Sequence, residues 1–465
     1  MEVKEASVGY AVESSAPVNT MPRGYKQTEV GVIPEDWEVD ILAHFWNVMD
    51  CKHVTAQFIA NGYPLASIKE VQRRFVDLTD AKQTTRAFYD LLIMGGRKPQ
   101  TGDLVLSRNA TVGEVAQVAD WHPPFAMGQD VCLLRKRSTE FSTDFLQSLF
   151  GSPIIEDQLL DLMVGSTFKR ANIKQIKNFA VPFPSPAEQK AIARAMSDVD
   201  ALIESLQQLI TKKRQIKQGT MQTLLTGKQR LPGFEIKHGY KQTEVGVLPE
   251  EWEVECLGAL ARGIYRGASP RPIDDPVWFD ETSAVGWVRI SDVTQAGRYL
   301  TETTQRLSQQ GVRHSRYLPR GALIMSICAT VGRPIETQID VCIHDGFVVF
   351  ERPTVEQGFL YHVLKELEPR WSSKGQTGSQ MNLNTGLIKS TQVPLPPTEA
   401  EQTAIATVLS DMDSEIADLE ARLAKTRDLK RGMMQALLTG RIRLPLDAVS
   451  ETARDPSLAA LARKV

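Results

Sequence analysis

The chain has 465 residues, 42% apolar and 24% charged, which excludes collagen-like, disordered and disulfide-scaffold classes and, at roughly 150 residues per domain, suggests about three domains. Lysine and arginine number 54 against 56 acids, a net charge of −2, so the whole-chain basic footprint of a lone nucleic-acid binder is missing. Cys51, Cys132, Cys256, Cys328 and Cys342 show no CxxC spacing and predict reduced thiols in a cytosol; no apolar run approaches the ~20 residues a membrane span needs.

Residues 1–23 carry no apolar export core and predict a flexible leader. Residues 24–39 read GYKQTEVGVIPEDWEV and return at 239–254 as GYKQTEVGVLPEEWEV, identical at fourteen of sixteen positions. The first body follows, with strands expected at 103–107 and 131–134 and a short helix at 142–150. It leaves through VPFPSPAEQ at 181–189, where Pro186 and Glu188 suit a helix's first turn. Met196, Val199, Ile203, Leu206 and Ile210 then alternate at heptad spacing, and Gly227 supplies the stop. The second body repeats the plan, with strands at 322–327 and 348–350, a helix at 357–367 and the exit VPLPPTEAEQ at 393–402. Its helix carries Leu409, Met412, Ile416, Leu419 and Leu423 and stops at Gly440. Segment 188–232 aligns on 401–445 without gaps, and residues 446–465 form an extension.

The bodies echo each other faintly: 102–115 (GDLVLSRNATVGEV) with 321–334 (GALIMSICATVGRP), 63–71 with 287–293, and 126–134 with 344–350. A period above 200 residues is too long for a solenoid unit and predicts two copies of a domain-plus-helix module. The expected divisions are 1–23, 24–181, 182–232, 233–393, 394–445 and 446–465. Each helix of about 35–40 residues spans ~55–60 Å. One narrow apolar stripe needs one partner, which is the other copy; the alternative is that each helix packs on its own domain.

The usual catalytic signatures are missing. His122-Pro-Pro-Phe125 faintly resembles the Asn/Asp-Pro-Pro-aromatic loop of amino-methyltransferases, but histidine lacks the amide or carboxylate acceptor, and a proline turn is expected. Glu235-Ile-Lys237 lacks an upstream aspartate on a strand and reads as linker. Cys51-Lys-His53 finds no second ligand pair, and no GxxxxGK[ST], GxSxG or HExxH occurs. What repeats is a polar loop after a strand: Ser107, Arg108, Asn109 and Thr111 in copy one; Ser326, Thr330 and Arg333 in copy two. A second polar segment precedes each exit, with Lys169, Arg170 and Asn172, then Ser379, Gln380 and Asn382. Basic spots at Lys69, Arg73 and Arg74 and at Arg266, Arg271 and Arg289 differ between copies. Such side chains hydrogen-bond base edges or phosphates, and all are candidates for DNA contact; ordinary solvated loops are the alternative.

On the paired QTEVG(V)(I/L)PE-x-WEV segments, the paired EQ-x-AIA openings, the helices ending TMQTLLTG and MMQALLTG, and the ATVG loops, the chain resembles the DNA-specificity subunit of type I restriction–modification enzymes over 24–445. The resemblance implies an α+β protein with two globular target-recognition domains in tandem. Two long helices between and after them form an antiparallel coiled coil with a pseudo-two-fold repeat. It implies no catalytic residue, no metal and no cofactor on this chain. S-adenosylmethionine, ATP and magnesium belong to partners, namely two methyltransferase subunits and restriction/translocase subunits. Double-stranded DNA is bound at an asymmetric bipartite site in the cytoplasm, with half-site centres on the order of one turn, ~34 Å, apart. Arg108→Ala is expected to impair one half-site and Arg333→Ala the other. A lone DNA-modifying enzyme or a coiled-coil scaffold without DNA contact are the competing readings.

Overall fold

The computed structural model describes residues 22–163, 170–235, 239–374 and 383–445, an α+β chain whose two compact units are 1–205 with 423–465, and 206–422. Compactness therefore does not follow the sequential division read from the repeat. Each long helix, Pro186–Leu224 and Glu399–Leu437, gives one half to each unit.

In unit one an antiparallel sheet runs in the order Trp46–Asp50, Val131–Lys136, Leu104–Ser107, Val115–Gln117. In unit two the order is Ala261–Arg266, Phe347–Pro353, Leu323–Ser326, Pro334–Thr337, Tyr299–Leu300, antiparallel except for the last pair, which is parallel. The strands expected at 103–107, 131–134, 322–327 and 348–350 are its centre, and they read as unbroken apolar runs because both faces are covered. Leu104 and Leu106 face one cluster with Phe141 and Phe145, while Val105 faces another with Val71 and Met127. Leu323 and Met325 against Ile324 divide the same way in unit two. A second small sheet in each unit contains a parallel pair: Ala126–Met127 on Tyr63–Ala66, and Val341–Ile343 on Gly286–Val288. The expected short helices are Thr143–Phe150 and Gln357–Lys374.

The repeated motifs hold the long helices in place. Ser185 accepts from the Glu188 backbone and Thr398 from that of Glu401, so each helix starts with a capped first turn. The neighbouring glutamines are buried and tie the helix to the body before it. Gln189 Oε1 accepts from the Ser142 backbone at 2.7 Å, and Gln402 Oε1 from Glu356 at 3.0 Å. At the other end Gly227 (φ 64°) and Gly440 (φ 66°) end the helices. A Cβ on Gly227 would lie 2.6 Å from Pro249, and one on Gly440 2.5 Å from Pro34, so the opening PE-x-W segment of the same unit lies flat on each glycine.

Within unit one Ile192 and Met196 of the central helix and Met434 and Leu437 of the C-terminal helix share a core with Ile33, Trp37 and Phe141. Within unit two Met221 and Leu224 join Ile405 and Leu409 on Trp252 and Phe359. The alternative that a helix packs on its own body is thus realised alongside helix–helix contact. Two arginine clasps close the junctions. Arg230 is bidentate to Glu401 at 2.7 Å and reaches Glu251 at 3.3 Å in unit two. In unit one Arg443 is bidentate to Asp36 at 2.9 Å and meets Glu188 at 2.5 Å.

His362 is fully buried in unit two with Nε2 3.2 Å from Ser410 Oγ. Burial, then the nearby Arg298 and Lys217 charges, push its pKa from 6.5 down to about 3, so it is neutral in the fold. The folded value lies below the unfolded one. The stability this group contributes is therefore complete above pH ~6.5 and is lost as pH falls toward 3. His362→Gln is expected to flatten the unfolding free energy of unit two in that window, by up to about 1.4 kcal/mol per pH unit; urea titrations at stepped pH measure it.

Candidate nucleic-acid interface

The repeated polar loop has one backbone design in both units. Ser107 N–H donates to Glu114 O (2.8 Å) and Gly113 N–H returns to Ser107 O (3.2 Å); Ser326 donates to Arg333 O (3.0 Å) and Gly332 to Ser326 O (2.8 Å). At the crest Ala110 and Ala329 sit in the left-handed region, φ 58° and 56°. The next residue fixes the loop to its surroundings. Arg108 N–H donates to Asp130 O and its carbonyl accepts from Ala171 N–H; Ile327 does the same with Gly346 and Leu383. Each loop is therefore stitched on one side to the turn before a central strand and on the other to the second polar segment.

The two serines are framework. Ser107 and Ser326 are fully buried, and their hydroxyls bond within the loop, to Asn109 O and to Thr330 O. The expectation that Arg108 reads DNA is also overturned. Its side chain is only 4% exposed, is ion-paired to Asp50 at 2.6 Å and has a buried Nε with no partner among the described residues. A guanidinium sequestered beneath Asp50 cannot reach a base edge. Arg74 binds Ser197 on the central helix, meets Asp144 at 3.3 Å and lies over Phe75, so it clamps body to helix. Arg298 does the same to Ser410 in unit two. Asn172 caps the helix Ile173–Lys177 with its side chain, as Asn384 caps Thr385–Ser390. Arg333 donates from Nη2 to Ala296 O at 3.0 Å, bracing the loop.

Other candidates are on the surface. Asn109 is half-buried, with Nδ2 donating to Asp130 Oδ1 at 3.3 Å, and it pairs through its backbone with exposed Arg170. Thr111 is exposed and accepts from Gln72 Nε2 at 3.0 Å. Lys69, Arg73 and Arg271 are exposed, Arg73 in a 3.0 Å pair with Asp77. Arg266 is exposed with Nε bonded to Asp345 O, and Arg289 and Thr330 are half-buried. Lys169, Ser379, Gln380 and Asn382 lie outside the described residues.

Sequence reasoning missed the residues facing these loops from another strand and from the turns before the central strands: Asp50 and Asp130 in unit one, His344 and Asp345 in unit two. His344 Nδ1 accepts from Gly346 N–H at 2.9 Å. Burial lowers its pKa, and the Arg289 and Arg266 charges lower it further against the opposing pull of Asp345, which places both arginines in its field. The donors of Asp50, Cys51 and His53 lie within 4.8 Å of one another, but the set suits a cation poorly. The Arg108 guanidinium already neutralises Asp50, and burial with the Asp50 charge pushes the Cys51 thiol up to about 11, so it stays protonated. His122 accepts from Ala119 N–H at 2.8 Å and faces Val76 O at 2.8 Å, the hydrogen bonds of a turn. No helix among the described residues is long and apolar enough to cross a membrane.

The family model described as "Type I restriction modification DNA specificity domain" matches residues 95–215 and 249–426. A relative from Methanocaldococcus jannaschii, described as a specificity subunit of the type I restriction enzyme MjaX, is 27% identical over 438 residues, 90% of this chain and 97% of the relative. Among solved structures, a chain from work on complex assembly and conformational transition of the type I R-M system aligns with TM-score 0.53 at 18% identity, over 88% of this chain and 99% of that one. The type I restriction–modification S subunit from M. genitalium aligns with TM-score 0.52 at 17% identity, over 86% and 96%.

Proposed function

Because this chain belongs to the type I restriction–modification DNA-specificity family and is a specificity subunit, we propose that each unit reads one half of a split DNA site while partner subunits do the chemistry. One observation carries this: two loops with the same backbone bonding and left-handed crest present different side chains. A shared scaffold with unlike rims suits unlike half-sites on one duplex. S-adenosylmethionine, ATP and magnesium belong to the partners in this reading, and the assembly works in the cytoplasm.

The reading includes the antiparallel coiled coil and internal pseudo-two-fold. Ion pairs in opposite chain sense support it: Lys430–Asp200 at 2.6 Å in unit one, and Lys217–Asp413, Lys213–Glu415 at 2.6 Å and Arg214–Glu420 at 2.5 Å in unit two. Two methyltransferase subunits dock on exposed helix faces around 207–218 and 420–431. Ile216 and Leu429 occupy equivalent repeat positions there, 45% and 58% exposed. Ile216→Glu and Leu429→Glu are each expected to weaken methyltransferase co-purification at least tenfold with little change in Tm, because a charge placed in a desolvated contact has no partner.

Footprinting the chain assembled with its methyltransferase subunits tests the function. Two protected stretches flanking a gap are expected. No protection would favour a scaffold, and methyl transfer or cutting by the pure chain with S-adenosylmethionine and magnesium would make it an enzyme.

A further inference from the structure

The strand registers allow the two loop surroundings to be matched residue by residue. Ser107 stands opposite Val131 and Ser326 opposite Phe347. One step along, Cys132 pairs Asp50, while Val348 pairs Arg266. The end of the first sheet strand is therefore an acid in one unit and a guanidinium in the other. The parallel pairs give a second match: Ala66 beside Met127, Val288 beside Ile343. The following residues are Ser67 and Arg289, each starting a short helical turn with its N–H held at 2.8 Å by a carboxylate, Glu70 or Asp292. In the turn that receives the loop, Asp130 matches Gly346, and on the loop itself Asn109 matches Cys328.

At the matched position an acid in one unit thus stands where a guanidinium stands in the other, on a common frame. Unit one presents Asp50, Asp130 and the Asn109 amide, with Arg108 buried below and paired to Asp50, and with exposed Arg170 bridged to Asn109 through the backbone. Unit two presents Arg266 and Arg289 beside His344, whose pKa burial lowers, with Asp345 accepting from Arg266 through its carbonyl. Carboxylates repel phosphates, so acids on a DNA-facing rim suit only a base edge that donates. Arginine's planar fork matches the paired acceptors O6 and N7 of guanine, aspartate accepts from cytosine N4, and asparagine pairs with adenine N6 and N7.

Resting on the half-site reading above, we infer that these matched positions set base preference: Arg266 and Arg289 fix a guanine in the half-site of unit two, while Asp50, Asn109 and Asp130 take the exocyclic amine of a cytosine or adenine in that of unit one.

Selection of randomised duplexes by the chain assembled with its methyltransferase subunits tests it. If the wild-type assembly selects no bipartite motif, the half-site reading itself fails. If it selects one, Arg266→Ala is expected to relax a guanine in one half by about 5- to 150-fold and leave the other half intact. Arg266→Lys keeps the charge without the fork and should lose the same preference while retaining affinity. Asn109→Ala and Asp130→Ala should relax a cytosine or adenine in the opposite half; these two avoid Asp50, on which buried Arg108 depends. A motif unchanged by Arg266→Ala, or affinity lowered equally for every duplex, would overturn the assignment. So would relaxation of both halves at once.

Discussion

Arg230→Ala is expected to destabilise unit two by about 3–5 kcal/mol, far more than its counterpart Arg443→Ala destabilises unit one. The two clasps share a plan but not a depth. The Arg230 side chain is 7% exposed and Glu401 only 1%, so removing the guanidinium strands a carboxylate with no route to water. Arg443 is 42% exposed and its Asp36 partner 61%, so water screens most of that pair. Only Glu188, 8% exposed, loses a shielded partner there, and Ser185 Oγ still donates to it at 3.0 Å. The cost should be about 1–2 kcal/mol. Urea unfolding followed by hydrogen exchange in each unit separates the two; equal losses would mean that burial does not set the strength of the clasp.

Asp50→Ala is expected to cost unit one about 3–5 kcal/mol, whereas Arg108→Met costs about 1–2. The arginine is the sequestered member of this pair, at 4% side-chain exposure against 32% for Asp50. Removing the acid leaves a buried cation whose one other side-chain partner among the described residues is the Cys51 sulfur, 3.9 Å from Nη2. Removing the arginine frees a carboxylate that can hydrate and that retains His53 at 3.3 Å. Methionine keeps most of the buried volume. Tm values of the two single variants decide the order, and the reverse order would place Arg108 at the surface after all.

Much of the fold was legible because the repeated motifs are structural. The PE-x-W segment recurs since Pro34, Trp37, Pro249 and Trp252 floor a glycine in each unit; the EQ pair recurs since its glutamine anchors helix to body. ATVG recurs because both loops need the same left-handed crest and turn-back. The candidate site was less legible. The buried state of Arg108 depends on Asp50, far away in sequence and on another strand. The serines looked like polar contacts because nothing local reports that their strand is covered on both faces. The echo between 126–134 and 344–350 holds at its end, where Val131 and Phe347 stand opposite the two serines, but its bounds miss the parallel pairing, which matches Met127 with Ile343. Short apolar runs are interchangeable and fix no register by themselves. The Asp50–Arg266 equivalence then follows only from the ladders.

The split composition of unit one bears on its biosynthesis. Its core includes Met434, Leu437 and Leu438 beside Ile33 and Trp37, whereas residues 206–422 form unit two without help from either flank. At roughly 5–20 residues per second, translation leaves the first body waiting some tens of seconds for those side chains. Unit two should become protease-resistant on the ribosome first, although it is encoded later, while nascent unit one keeps an uncovered apolar seam for chaperones.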